Sequence, residues 1–133
     1  RREHVSLVFQ DHNLIDYLTP EENLRLVNPK ADMKILEDLG LSREESKRNI
    51  MHLSGGQRQR VAVGRALVAP GRAILADEPT GSLDPEMTDE VIDLLRHAAH
   101  QLGKCVIVVT HSKRVADSAD AVYTLRHKKL AKA

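Results

Sequence analysis

Two short, unbroken apolar runs constrain the fold of this 133-residue chain most strongly. Ala73-Ile74-Leu75-Ala76 and Cys105–Val109 are far too short to cross a bilayer, for which about 20 residues are needed. Runs of this length are typical of strands buried on both faces of a parallel sheet. Between them, Asp84 and Pro85 can begin a helix that Gly103 would end. We therefore predict an α/β fold with a parallel sheet and crossover helices.

The first half of the chain predicts one strand and then several helices. His4 to Phe9 has the pattern of a strand, and Ala121 to Leu125 predicts a last strand in the second half. Thr19-Pro20-Glu21-Glu22 and Ser42-Arg43-Glu44-Glu45 both have the spacing of a capping box. Further helices are predicted over Ala31 to Leu39 and Ser54 to Ala69, so that residues 11–52 form a small helical region.

Charge and composition exclude some classes of function. Lys and Arg number 20 against 19 acidic residues, and the net charge of +1 gives no reason to expect a nucleic-acid partner. Aromatic residues make up 2% of the chain, too few for a base-stacking platform. The single cysteine, Cys105, excludes an intramolecular disulfide and fits a reducing, cytosolic setting. Its apolar neighbours predict that it is buried.

Two acidic residues, Asp77 and Glu78, follow the first apolar run directly. This is the arrangement of a Walker B motif, in which a strand places carboxylates at the sheet edge where ligands bind. Asp77 could then hold Mg²⁺ through water, and Glu78 could activate the water that attacks a γ-phosphate. The alternative is that the acidic pair only caps the turn that follows the strand.

Three further features have chemistry that fits phosphate binding. Ser54, Gly55 and Gly56 combine a helix cap with two residues that let a ligand approach the backbone, at the positive end of a helix. His111 follows the second apolar run and could hydrogen-bond a γ-phosphate and the attacking water. Gln10 ends the first predicted strand. A lone histidine or glutamine is weak evidence by itself.

Taken in order, these features resemble the motifs of the ATP-binding-cassette family over essentially the whole chain. Gln10 matches the glutamine loop, Asp77-Glu78 the Walker B motif and His111 the switch histidine. Leu53-Ser54-Gly55-Gly56-Gln57 matches the family signature, and Ser82-Leu83-Asp84 the D-loop. Ala76 to Asp84 is also similar to the branch that serves export of lipoproteins, macrolides and antimicrobial peptides, or cell-division complexes.

The resemblance implies a P-loop NTPase-like fold with a helical subdomain and divides the chain into three parts. Residues 1–10 would contain a strand and the glutamine loop of the catalytic core. Residues 11–69 would form the helical subdomain with the signature motif. Residues 70–133 would hold Walker B, the D-loop and the switch histidine.

The resemblance further implies ATP and Mg²⁺ as cofactors and a second ATPase subunit as partner, paired head to tail. Each nucleotide would lie between one subunit's phosphate loop and the other's signature. Glu78 and His111 would be catalytic, and Asp77 and Gln10 would contact Mg²⁺. The nucleotide-binding residues would be Gln10, Ser54, Gly55, Gly56, Gln57 and Asp84. For Asp84, helix capping follows from the sequence, whereas a contact across the dimer follows only from the resemblance.

Residues near 11–18 would contact a transmembrane permease, which implies a cytoplasmic protein held at the inner face of the membrane. The leading function is then a transport ATPase that drives a separate permease. Two alternatives stay open: a cassette ATPase that acts outside transport, and a non-catalytic module that donates only its signature face.

One family motif is missing from the sequence. Gly-x-x-x-x-Gly-Lys-Ser/Thr, the phosphate loop, occurs nowhere in the 133 residues. We therefore expect that the N-terminal part of the fold is absent from this chain and that the chain alone hydrolyses ATP negligibly. We also expect the Walker B strand to be left with an unpaired edge.

Overall fold

The computed structural model describes residues 5–9 and 13–133. Its elements in chain order are β1 (Val5–Val8), α1 (Pro20–Val27), α2 (Lys34–Asp38), α3 (Arg43–Ser46), a 3₁₀ turn (Ile50–His52), α4 (Gly55–Val68), β2 (Ala73–Asp77), α5 (Pro85–His100), β3 (Cys105–Val109), α6 (Lys113–Asp117), β4 (Tyr123–Arg126) and β5 (Lys129–Lys132). None of the helices in the described ranges is long and apolar enough to cross a membrane.

The predicted parallel sheet is present as three strands in the order β1-β2-β3. Val8 pairs with Ala76, and Asp77 pairs with Val109. Because all three strands run in one direction, their carboxyl ends meet at the same edge of the sheet. That edge holds the segments after Val8, Asp77 and Val109.

The predicted position of the Walker B strand is wrong. β2 lies at the centre of the sheet with both edges paired, and in the described part of the chain the unpaired edges belong to the outer strands, β1 and β3. The last strand also differs from the prediction, because β4 pairs antiparallel with β5 in a separate hairpin. The strands of this hairpin are polar enough to lie in solvent on most of their surface.

The core lies between one face of the sheet and the helices. α4 is its central element, and Val61, Ala62 and Val63 on α4 are fully buried. Four further core residues from the helical region and the 3₁₀ turn, all fully buried, are Leu24, Leu36, Leu39 and Ile50. Both α4 and α5 pack on this face of the sheet, so the helical region is held against the strands through α4.

No helix of the described residues covers the opposite face of the sheet. Side chains along each strand alternate between buried or half-buried and more exposed positions, and the exposed set includes Leu7, Leu75 and Ile107. Cys105 points to the same face and is exposed, so its predicted burial is wrong. The alternation places it on the side of β3 that no described helix covers.

The capping signals placed most helices correctly. Thr19 and Glu22 form the predicted capping box at the start of α1. Ser42 caps α3, but the second predicted box is incomplete, because the Glu45 carboxylate accepts a hydrogen bond from the side-chain amide of Gln57 instead. α2 is shorter than predicted and begins at Lys34.

Candidate active site

The carboxyl edge of the sheet brings Glu78 and the segment around His111 together. Thr110 Oγ1 donates a hydrogen bond to Glu78 Oε2 at 3.0 Å. The backbone N–H of His111 donates to Glu78 Oε1 at 2.7 Å. The contact to His111 therefore involves its backbone, while its imidazole is exposed to solvent.

Glu78 itself has an unusual backbone conformation. Its φ is +49°, in the left-handed region that residues with a side chain seldom adopt. Its N–H donates to Val109 O at 2.8 Å, and its carbonyl accepts from the N–H of Gly81 at 3.2 Å. Non-glycine residues held in this region cost of order 1 kcal/mol or more and are frequent at functional sites.

Asp77 is the last residue of β2, and its side chain is exposed. No group in the described ranges donates a hydrogen bond to its carboxylate, which leaves both oxygens available. Among the same residues, no group of three or more His, Cys, Asp or Glu side chains could hold a metal ion. Mg²⁺ bound mainly by phosphates and water requires only one or two protein carboxylates, so Asp77 fits such an ion.

The start of α4 presents the predicted signature residues. Ser54 caps the helix by accepting from the N–H of Gln57 at 3.1 Å. Gln57 Oε1 in turn accepts from the N–H of Ser54 at 2.8 Å. The side chain of Gln57 is thus used within the chain, whereas the N–H groups of Gly55 and Gly56 lie in the first turn, where no helical carbonyl can accept them.

The segment Ser82 to Asp84 lies beside this helix start. A Cβ atom at Gly56 would lie 3.1 Å from the carbonyl oxygen of Ser82. Asp84 Oδ1 accepts from the N–H of Met87 at 2.8 Å, which establishes its capping role at α5. The structure therefore joins the signature residues to the D-loop residues on one surface.

Two side chains at this site were not singled out by the sequence, and one predicted residue lies outside the described part. Gln10 belongs to residues that the structure does not describe. Thr110 contacts Glu78, and its position after β3 beside His111 could have indicated it. Gln59 is 1% exposed and bonds the segment after Glu78. Its helical spacing from the apolar Ala62, Val63 and Ala66 was the available signal.

Comparisons with known proteins agree with this geometry. The sequence profile of the ABC transporter family matches residues 1–81. The chain is 41% identical to the lipoprotein-releasing system ATP-binding protein LolD of Rickettsia prowazekii, over 93% of this chain and 60% of that protein. It is 36% identical to the ABC transporter ATP-binding protein YclH of Bacillus subtilis, over 90% of this chain and 58% of that protein.

A solved structure has the same architecture. It is the dimeric ATP-binding cassette MJ0796 with ADP and Pi bound, with a TM-score of 0.86 and 32% identity. The match covers 99% of this chain and 64% of the cassette.

Fold and profile together define part of an ATP-binding cassette. More specifically, the chain belongs to the ABC transporter family. It spans about 60% of the length of the LolD and YclH relatives.

Proposed function

We propose that this chain provides the hydrolytic residues and the signature motif of an ABC transporter ATPase. The observation that carries the proposal is the carboxyl edge of the sheet, where Glu78 is held by Thr110 and the His111 backbone next to the exposed carboxylate of Asp77. ATP is the proposed substrate because a parallel sheet binds ligands at this edge and the family is an ATPase family.

Glu78 would orient and deprotonate the attacking water. Its carboxylate is fixed at two oxygens, so the chain already determines where the base stands. Asp77 would hold Mg²⁺, which neutralises charge on the phosphate oxygens. The exposed imidazole of His111 lies at the same edge and would donate a hydrogen bond toward the γ-phosphate. Gln10 would add a contact to the metal or its water.

The start of α4 would bind the nucleotide of a second subunit. A Cβ added at Gly55 would meet no atom within 4 Å, so this chain's own packing does not require a glycine there. Exposed N–H groups at a helix start attract anions. Ser54, Gly55 and Gly56 would thus contact the partner's phosphates, with Gln57 shaping the turn and Asp84 near the dimer contact. The dimeric state of MJ0796 supports this pairing.

The loop before α1 would contact a permease at the inner face of the membrane. Tyr17 is 77% exposed at its tip. The buried side chain of Asn23 fixes this loop by bonding the N–H and the carbonyl of Ile15 at 2.9 and 3.2 Å. A rigid loop with an exposed aromatic residue suits a protein contact. The names of the LolD relative and of the MacB macrolide-export relatives support a transport role.

The same proposal divides the chain into core residues 1–10 and 70–133 and a helical subdomain, 11–69. It also predicts that the 133 residues alone turn over little ATP, since they contain no phosphate-loop sequence. The test of the proposed function is a chimera. In it, this chain is joined to the part of the Rickettsia LolD protein that the match does not cover. We expect the chimera to hydrolyse Mg-ATP and the chain alone to remain inactive.

Glu78→Gln should lower kcat of the chimera by about 10²- to 10⁴-fold, the usual contribution of a general base. The matched control is Glu86→Gln, which removes an exposed carboxylate on α5 and should leave kcat unchanged. A chimera that binds ATP but has no Glu78-dependent turnover would support the non-catalytic, signature-donating alternative instead.

A further inference from the structure

One buried side chain bonds both ends of the turn that follows Glu78. Gln59 lies on α4, five residues after the Ser54 cap, and is 1% exposed. Its Nε2 donates to the carbonyl of Glu78 at 2.7 Å. Its Oε1 accepts from the N–H of Ser82 at 2.9 Å. A single amide thus satisfies one acceptor and one donor of the same turn, from a different element.

The turn needs such support at its first residue. Glu78 has φ +49°, and it stays in that conformation only if its surroundings hold it there. The sheet contributes one hydrogen bond, from the Glu78 N–H to Val109 O. Gln59 contributes the contact from the helical side. Because the side chain of Glu78 leaves the backbone at this fixed angle, its carboxylate reaches Thr110 and the N–H of His111.

The other end of the turn touches the signature residues. The Ser82 carbonyl lies close to Gly56, where a Cβ atom would be 3.1 Å away. Gln59 therefore connects the surface formed by Gly56 and Ser82 to the backbone of Glu78. Because the Gln59 side chain itself is buried, losing either hydrogen bond would leave a polar atom of its amide without a partner, which is costly.

We infer that Gln59 is a positioning residue. It fixes the carboxylate of Glu78 through the turn, and it links that carboxylate to the signature and D-loop surface. A displacement of that surface by a partner subunit would then move Glu78. The inference rests on the proposed function for the catalytic meaning of Glu78, whereas the link itself can be tested without any turnover.

The test compares Gln59→Met with Asn23→Leu in the 133-residue chain. Both changes replace a buried amide by an apolar side chain of similar volume, but the Asn23 amide bonds Ile15 and Thr19, away from the turn. The measurement is amide hydrogen exchange, corrected for the global stability of each variant. In Gln59→Met, the N–H groups of Ser82 and His111 should exchange about tenfold faster or more, as expected for loss of a buried hydrogen bond. In Asn23→Leu they should not change.

The exchange rate of the His111 N–H decides the test, because Gln59 does not contact His111 directly. If only Ser82 loses protection, Gln59 merely fixes the D-loop and the inference is wrong. Gln59→Glu provides a second variant if Gln59→Met does not fold. At a pH where this carboxyl group is ionised, it can still accept from Ser82 but cannot donate to Glu78, so Ser82 should stay protected while His111 exchanges faster. If the N–H groups of Ser82 and His111 are equally protected in Gln59→Glu, the inference is also wrong.

Turnover of the chimera separates this inference from the proposed function. Gln59→Met should lower kcat with little change in KM for ATP, and Asn23→Leu should change neither. If the unaltered chimera has no turnover, the proposed function fails while the exchange result on His111 still decides the role of Gln59.

Discussion

The two glycines at the start of α4 have different surroundings. Gly55 faces open space, whereas a Cβ atom at Gly56 would meet the Ser82 carbonyl at 3.1 Å. We therefore predict that Gly56→Ala destabilises the chain by about 1 kcal/mol or more, because a backbone atom must shift. Gly55→Ala should leave the free energy of unfolding unchanged or raise it by up to about 1 kcal/mol through helix propensity. Urea denaturation of both variants measures this difference.

Turnover then shows whether Gly55 serves another molecule. In the chimera, Gly55→Ala should reduce ATP hydrolysis although it does not reduce stability, because the added methyl group would lie where the partner's phosphates approach. Full activity of Gly55→Ala would argue against contact with a nucleotide at this position.

At the scale of single residues, the sequence predicts where a side chain lies when the residue ends a strand, follows one or begins a helix. Asp77 ends β2, Glu78 follows it, and His111 comes shortly after β3, so parallel pairing brings their segments to one edge whatever the details of packing. Gln59 was missed because its function depends on a contact between α4 and the turn after β2. Such a contact has no local sequence pattern.

Asp84, at the start of α5, has a capping role and a proposed role in the dimer contact, and two variants can separate them. Asp84 caps the helix by accepting from the N–H of Met87. Asp84→Ala should lower the free energy of unfolding by about 1 kcal/mol, and Asp84→Ser, which keeps a capping oxygen, should lower it much less. If Asp84→Ser nevertheless weakens dimerisation of the chimera in sedimentation measurements, the dimer-contact role is supported. Unchanged dimerisation would leave capping as its role.

The turn between α4 and β2 depends on a cation directly before β3. Lys104 Nζ donates to the carbonyls of Ala69 and Gly71 at 2.6 and 2.9 Å. Burial lowers the pKa of this ammonium group, so its desolvation offsets part of the gain. We predict that Lys104→Met costs about 1–2 kcal/mol of stability, since two carbonyls lose their donor.

Lys113→Met is the control for that change, because Lys113 is exposed and forms its ion pair with Asp117, on the same short helix. Its effect on the midpoint of thermal unfolding should be close to zero. Equal effects of the two substitutions would show that the Lys104 contacts contribute nothing beyond a surface ion pair.

At the scale of elements, helix limits followed from capping residues, but the order of the strands did not follow from the sequence. The apolar runs identify β2 and β3 without stating which strand is central. That depends on β1, which is separated from β2 by the whole helical region. The hairpin of β4 and β5 was missed because its second strand, Lys129–Lys132, is too polar to show strand periodicity.

At the scale of the whole molecule, the described helices cover only one face of the parallel sheet. α4 and α5 cover one face of the sheet, and on the other face Leu7, Ile107 and Val109 are 43, 52 and 63% exposed. Parallel sheets are normally covered on both faces. About 40% of the length of the LolD and YclH relatives lies outside the match. A segment of that length is enough chain to cover such a face.

The uncovered face makes the 133-residue chain prone to self-association. An exposed apolar patch next to the unpaired edge of β3 favours contact between copies. We predict that the chain forms concentration-dependent oligomers in sedimentation velocity. Ile107→Lys should reduce these oligomers strongly, because burying a charge at the middle of β3 in a contact between copies costs free energy.

Leu130→Lys is the matched control, since Leu130 is also exposed, at 71%, but lies on the hairpin rather than on the sheet face. It should leave association unchanged. The chimera, in which the additional LolD segment is available to cover the sheet, should associate only as a dimer and should lose stability with Ile107→Lys. If the chain stays monomeric at high concentration, or if both substitutions act equally, the sheet face is not a contact between copies of the chain.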